Sequence, residues 1–377
     1  MRQLLIPVLL AFGVYLFLNR SRNITEMSIP TQQKALVVPE AHAPFQLATI
    51  DVPKPEAGEV LVRIEATALN PVDWKIQAYN FFIQKYPAVL GTDIAGTVVQ
   101  LGSGVTNLAV GDKVVFQGYF TNRLASYQEY TIGKAETIAK IPSGFTFDQA
   151  ATIPVGAGAA FVGLYGPKSS SGGAALTPFW AEGGRGKYAG KPIVVFGGSS
   201  SVGQYVLQLA KLSGFSHIIT TASAKNAAHV KSLGATHVVD RSLSPSEIVA
   251  EVKKITSEPV LTVFDAIALA DTQTTGYEIL ASGGTLVLTL APTIPEDKRV
   301  ADKTIIDTLG SVHVPANHEV SIGFYSNLPQ LLLSGELKPN SPEVLPGGLA
   351  GIAGGLDRLK NGQVSATKLV VHPPETA

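Results

Sequence analysis

Apolar residues along this chain change their spacing once, near residue 156. Before that point they alternate with polar ones in short runs. Glu59 to Leu69 alternates as a half-buried strand does, and Ile94 to Gly102 repeats the pattern. Gly111-Asp112 is a turn dipeptide that opens into Val114-Val115-Phe116. Many short strands punctuated by glycine predict a compact, barrel-like β domain. Beyond 156, five-residue apolar runs alternate with longer stretches of helical spacing. The series reads strand 192–196, helix 201–213, strand 217–221, helix 225–233, strand 236–240, helix 244–256, strand 260–264, helix 272–281 and strand 284–290. That alternation predicts a parallel, doubly wound α/β sheet. Residues 168–190 interrupt it as an insertion that reads equally as a surface flap or as a lid on the substrate side. Ser365 to His372 reads as a last strand returning to the first domain. The expected division is 1–26, an apolar N-terminal segment; 27–155, the β-rich domain; 156–315, the doubly wound domain; and 316–377, the return.

Leu4 to Leu18 is almost wholly apolar, between Arg2 and the pair Arg20 and Arg22. It is shorter than the ~20 residues that span a bilayer. Two readings stand level: a membrane anchor that leaves the rest of the chain facing the cytosol, or a segment upstream of the true start. Met27-Ser28-Ile29-Pro30 leads directly into the first strand. A secretory signal ranks third, because no small-x-small cleavage site follows. The expected location is the cytoplasm.

Composition narrows the chemistry. Lys plus Arg equals Asp plus Glu at 29 each, so nothing predicts a nucleic-acid surface. There is no cysteine, which excludes a disulfide, a thiol nucleophile and thiolate-bound zinc. The seven histidines form no ligand-spaced cluster, and no metal site is expected.

Gly197-Gly198-Ser199-Ser200-Ser201-Val202-Gly203 joins the strand 192–196 to the helix 201–213. At such a turn backbone N–H groups and the positive end of the helix dipole face a phosphate. Read from Gly198 as G-x-G-x-x-G, Ser200 stands at the middle glycine and Gly203 at the last. An Asp or Glu about 20 residues on binds the ribose 2′-hydroxyl in NAD-binding folds. Here Ser223 and Lys225 occupy that stretch, with Arg241 after the next strand. A hydroxyl and cations suit a 2′-phosphate, so the expected cofactor is NADPH.

The order of motifs resembles the medium-chain dehydrogenase/reductase superfamily. Ala68 to Lys75, Gly91 to Val98 with Gly102 and Val110 to Val114, and Ala150 to Val155 carry the resemblance, together with the glycine-rich turn. It is most similar to the zinc-free quinone and enoyl reductase branch, and within it to fungal stand-alone, trans-acting enoyl reductases. The resemblance implies a GroES-like β-rich catalytic domain plus a Rossmann domain. It implies that Lys75 lies near the nicotinamide ribose as the leading catalytic candidate, that Asn70 and Asp73 shape the same loop, and that Thr152 and Leu288 join Ser201 among the cofactor contacts. Ala159 stands where the superfamily often has a threonine beside the carboxamide. Where zinc alcohol dehydrogenases carry ligands, this chain has Asn70-Pro71-Val72-Asp73 and Gly91-Thr92-Asp93.

Three functions stay open at this point: an NADPH-dependent reductase of an activated C=C in an enoyl thioester or enone, an NADPH quinone reductase, and a cofactor-binding protein with little catalysis. Substrate choice is expected to lie in residues 76–90, the 168–190 insertion and residues 315–330. A carrier-protein or synthase partner, and a monomer or a homodimer, are all compatible with the sequence.

Overall fold

In the computed structural model, which describes residues 29–377, the early alternation resolves into two sheets. β1 (Gln32–Val38), β2 (Gln46–Asp51) and β4 (Ala88–Val89) form a small one in the order β2-β1-β4. β3 (Glu59–Ala68), β5 (Asp93–Leu101), β6 (Lys113–Gln117), β7 (Tyr130–Lys134) and β8 (Ala139–Lys140) form most of the larger one, with β3 at its centre. Two strands from the far end of the chain complete it. β15 (Ser341–Val344) pairs parallel with β16 (Thr367–Val371), and β16 pairs antiparallel with β3 through Val370–Ala68 and Val371–Thr67. The anchor reading of residues 4–18 lies outside the described residues. Among the described residues no helix is long and apolar enough to cross a membrane.

The second half builds a six-stranded parallel sheet from β9 (Pro192–Phe196), β10 (His217–Ala222), β11 (His237–Asp240), β12 (Thr262–Asp265), β13 (Thr285–Leu288) and β14 (Thr304–Asp307). Its order, β11-β10-β9-β12-β13-β14, reverses direction beside β9, which is the doubly wound arrangement. Every residue of β9 is buried, as a central strand covered on both faces requires.

The helices that matter for the site are α1 (Pro71–Tyr79), α2 (Phe147–Ala151), α3 (Pro154–Tyr165) and α4 (Ser201–Ser213); then come α5 (Ala227–Ser232), α6 (Pro245–Ile255), α7 (Ala270–Ile279), α8 (His318–Leu333) and α9 (Ile352–Lys360). α3 is apolar on nearly all sides and touches α4, α8, β5, β6 and β13. It therefore belongs to both halves, and one continuous core runs from Val60 and Ile94 through Phe161 to Val195 and Val287.

One expected specificity segment turns out to be largely core. Residues 315–330 lie mostly in α8, whose Phe324 is buried and stacks on Phe161 at 4.5 Å. The 168–190 insertion is exposed over about half its length and is pinned to the core by aromatic residues. Phe179 is buried, Trp180 meets Tyr165 edge-on at 5.2 Å, and Tyr188 stacks on Phe215 at 4.9 Å. The Tyr188 N–H donates to the Ser213 carbonyl at 3.0 Å, at the C-terminal end of α4. α4 is about 20 Å long, so the Tyr188 end lies far from the glycine-rich turn, while at the other end the Ser171 carbonyl accepts the Leu309 N–H at 3.3 Å, beside Gly310.

Candidate active site

The turn after β9 is built for close approach. Gly197 has φ +74°, and its N–H donates to Thr221 Oγ1 at 3.0 Å. A Cβ at Gly203 would stand 2.2 Å from the Gly197 carbonyl oxygen, so only glycine lets α4 begin this close to the strand. Ser200 is the N-cap residue of α4, and its hydroxyl accepts the Gly203 N–H at 3.0 Å. Ser199, Ser201 and Val202 are partly exposed around it. Ser201 Oγ accepts from Asn340 Nδ2 at 2.7 Å. Thr152 is wholly buried behind the turn, its hydroxyl donating to the Gln149 carbonyl at 2.8 Å and the Asn340 carbonyl at 3.3 Å. Leu288 ends β13 as a fully buried core residue.

The ends of β10 and β11 bring the three other cofactor candidates together. Ser223 follows β10 directly, and Lys225 lies in the short turn after it. The Arg241 N–H donates to the Ala222 carbonyl at 3.1 Å, which sets Arg241 beside Ser223. Lys225 and Arg241 are exposed. The nearest carboxylate in sequence, Asp240, is engaged by Ser242 through its N–H at 2.9 Å and its hydroxyl at 2.8 Å.

The second part of the site is a buried polar cluster around α1. Asn70 is the N-cap residue of α1, and its N–H donates to Asp73 Oδ2 at 2.8 Å. Tyr127 donates its hydroxyl to the same oxygen at 2.6 Å. Asn70 Nδ2 donates to Asp93 Oδ2 at 2.8 Å, and Lys368 Nζ lies 3.0 Å from that oxygen. Lys368 also donates to Asn70 Oδ1. Asp93 Oδ1 accepts the Val155 N–H at 2.7 Å, at the head of α3. Lys75 follows on α1, half-buried, with Nζ 5.8 Å from the Trp74 ring centre. It makes no hydrogen bond or ion pair among the described residues, and burial lowers its pKa.

Asp73 Oδ1 is buried without a hydrogen-bond partner. Burial, aided by the charge of Asp93, raises this carboxyl from 3.8 to about 7, against the hydrogen bonds from Tyr127 and Asn70. The folded state then holds a proton that the unfolded chain has released above its ordinary value. Its contribution to stability is complete below pH ~4 and is lost as pH rises through about 7. We expect wild type to lose roughly 2–4 kcal/mol relative to Asp73→Asn between pH 4 and 8. Urea unfolding at each pH measures it, and parallel curves would contradict it.

A third group joins residues the sequence left unassigned to Phe81 and Phe82 of the expected 76–90 segment. Gln117, at the end of β6, donates to the Gly310 carbonyl at 2.9 Å and accepts the Val312 N–H at 2.9 Å. A Cβ at Gly310 would stand 2.4 Å from the Ala159 backbone, so this loop sits directly on α3. His313 donates through Nε2 to the Gln117 carbonyl at 3.2 Å, and burial lowers it to about 4, leaving it neutral. Its ring meets Tyr119 at 5.1 Å, and Tyr119 begins an aromatic row. Tyr119 and Phe120 are 5.6 Å apart, Phe120 and Phe82 stack at 5.3 Å with 3° between planes, and Phe82 meets Phe81 at 5.0 Å. Phe82 is 45% exposed and has φ +64°, a backbone state that a bulky L-residue rarely adopts.

Residues 56–143 match the alcohol dehydrogenase GroES-like domain family, and residues 201–313 match the zinc-binding dehydrogenase family. The trans-enoyl reductase himH of Aspergillus japonicus is 35% identical over 328 residues, spanning 83% of this chain and 89% of the relative. The chain belongs to the medium-chain dehydrogenase/reductase superfamily. The trans-enoyl reductase grgB of a Penicillium species is 29% identical, spanning 91% of this medium-chain reductase and 99% of the relative. An alcohol dehydrogenase superfamily protein from Novosphingobium aromaticivorans superposes with a TM-score of 0.74 at 25% identity, covering 90% of this chain and 99% of its own. A quinone oxidoreductase from Coxiella burnetii shares the fold, with a TM-score of 0.67 at 24% identity over 90% of this chain and 98% of its own. As a medium-chain dehydrogenase/reductase, the protein is an oxidoreductase that works with a nicotinamide cofactor, and its glycine-rich turn fits one.

Zinc fits less well. Among the described residues, no three His, Cys, Asp or Glu side chains gather to hold a metal ion. Where related dehydrogenases carry ligands, Asn70 and Asp93 bond to each other and to Lys368.

Proposed function

We propose that the chain is a zinc-independent, NADPH-dependent reductase of an activated C=C, in an enoyl thioester or enone. The observation that supports NADPH is that Ser223, Lys225 and Arg241 lie where β10 and β11 end, while no carboxylate follows β10 directly and Asp240 has Oδ1 engaged by Ser242. The likeness to trans-enoyl reductases over most of the chain favours an enoyl acceptor.

The turn Gly197–Gly203 would hold the pyrophosphate on the first N–H groups of α4, and Ser223, Lys225 and Arg241 the 2′-phosphate. NADPH supplies the hydride. The work left to the side chains is to steady the negative charge that gathers on the carbonyl oxygen and to bring a proton to the α-carbon. Lys75 is the residue assigned to that charge. Gln117 holds the Gly310–Val312 backbone, which lies directly on α3.

The aromatic row from Tyr119 to Phe81 would receive the apolar part of the acceptor. Replacing Phe82 and Phe120 together by Ala is expected to raise KM for a long acyl thioester about tenfold and to leave a short enone unchanged. An equal change for both acceptors would remove the row from specificity.

The deciding assay follows NADPH and NADH absorbance with chelator present, against an enoyl thioester, a simple enone and a quinone. C=C saturation coupled to NADPH oxidation supports the proposal. Turnover with quinone alone makes the chain a quinone reductase. Tight NADPH binding with no turnover makes it a cofactor-binding protein.

A further inference from the structure

Lys368 is a lysine where strand packing asks for none. Its neighbours Leu369, Val370 and Val371 are buried apolar residues of β16, and Lys368 itself is 4% exposed. Burying an ammonium costs several kcal/mol unless it is paired and hydrogen-bonded. Here it is both, with Asp93 Oδ2 at 3.0 Å and Asn70 Oδ1 as acceptors.

The consequence falls on Asn70. Lys368 holds its carboxamide oxygen and Asp93 holds its NH2 group, so the amide has one permitted orientation. Reversing it would set N–H against ammonium. The Asn70 backbone is fixed as well, through Asp73 Oδ2. The first turn of α1 is therefore clamped from both sides, and Lys75 lies just beyond it. Asp93 ties the clamp through the Val155 N–H to the head of α3, the helix that belongs to both halves. Charge agrees with this arrangement. Lys368 pairs with Asp93, whereas Asp73 has a buried oxygen without a donor and its carboxyl is raised by burial to about 7.

We propose that Lys368 is a positioning residue for the reduction, holding Asn70, and through it the start of α1 and Lys75, in fixed relation to α3 and the cofactor-binding half. This rests on the reading of Lys75 as the group beside the nicotinamide.

The test is Lys368→Met in the full chain, alone and with Lys75→Met. The single change is expected to lower kcat about 100-fold, the cost of a misplacement of about 1 Å, with the Kd for NADPH nearly unchanged. Adding Lys75→Met should cost little more, because both changes act through one group. Lys368→Arg, which keeps the donors, should restore part of kcat. A lower Tm with full kcat, or losses that multiply, would overturn the proposal. If Lys368→Met does not fold, Lys368→Met with Asp93→Asn removes both charges and takes its place, and full kcat in that variant overturns the proposal equally.

A second readout needs no turnover. Trp74 adjoins Lys75 on α1, and in a Trp180→Phe background its energy transfer to bound NADPH reports the distance from α1 to the nicotinamide. Reduced transfer in Lys368→Met supports the clamp, and unchanged transfer overturns it. This holds even where wild type reduces no acceptor, an outcome that would sink the enoyl-reductase reading alone.

Discussion

Changing Lys225 to Glu and Arg241 to Ala together should raise KM for NADPH about 100-fold and leave KM for NADH within a few-fold. Hydrogen bonds from a cation to a phosphate are worth about 1.5–3 kcal/mol each. Both side chains are exposed, which places the pair at the lower end of that range. The glutamate then adds what NAD-specific sites use, a carboxylate that repels a 2′-phosphate and accepts from a 2′-hydroxyl. The measurement is initial rate against each cofactor at two salt concentrations, since screening should shrink the NADPH preference of wild type. A wild type indifferent to the 2′-phosphate would make Lys225 and Arg241 ordinary solvated charges.

The second large effect is expected at Lys75. Lys75→Met should lower kcat by about 10²–10³-fold, the usual loss when one donor to a developing oxyanion is removed. NADPH affinity should change far less. Burial lowers the Lys75 pKa, so the protonated form is lost at a lower pH than for a free lysine. Wild-type kcat should therefore fall on the alkaline side below the ordinary lysine range, and that limb should vanish in Lys75→Met. A limb that survives the substitution would assign it to another group.

The sequence exposed what is local. The helix expected over 201–213 runs Ser201–Ser213, because its cap, its apolar stripe and the terminating Gly214 all lie within one segment. Five of the six parallel strands were legible as short apolar runs, and β14 (Thr304–Asp307) was missed. α8 was not legible: its seven buried residues, from Val320 to Leu332, share one face, but Gly323 and Pro329 interrupt the run and apolar Ile322 and Leu333 lie off that face. α3 hid behind Gly156, Gly158 and Gly163, residues with poor helix propensity that instead permit close packing against Tyr205, Gly310 and Phe264. In the site, the glycine-rich turn and Lys75 could be proposed from motifs. The cluster that holds them could not. Gln117 and His313 are 196 residues apart, and only the fold joins them. Lys368 did leave one sign, a lone charge inside an apolar strand pattern, but nothing near it in sequence named its partner.

The distance between Asn70 and Lys368, 298 residues, also sets a timetable for biosynthesis. At roughly 5–20 residues per second, a ribosome emits Asn70 about 15–60 s before Lys368. During that interval the end of β3 lacks its neighbour and the buried Asp93 lacks its cation. The lobe made first is thus completed last. The nascent chain presents an open sheet edge to chaperones until the cofactor-binding half has already been made, and a truncation that removes β16 would leave the newborn chain permanently in that state.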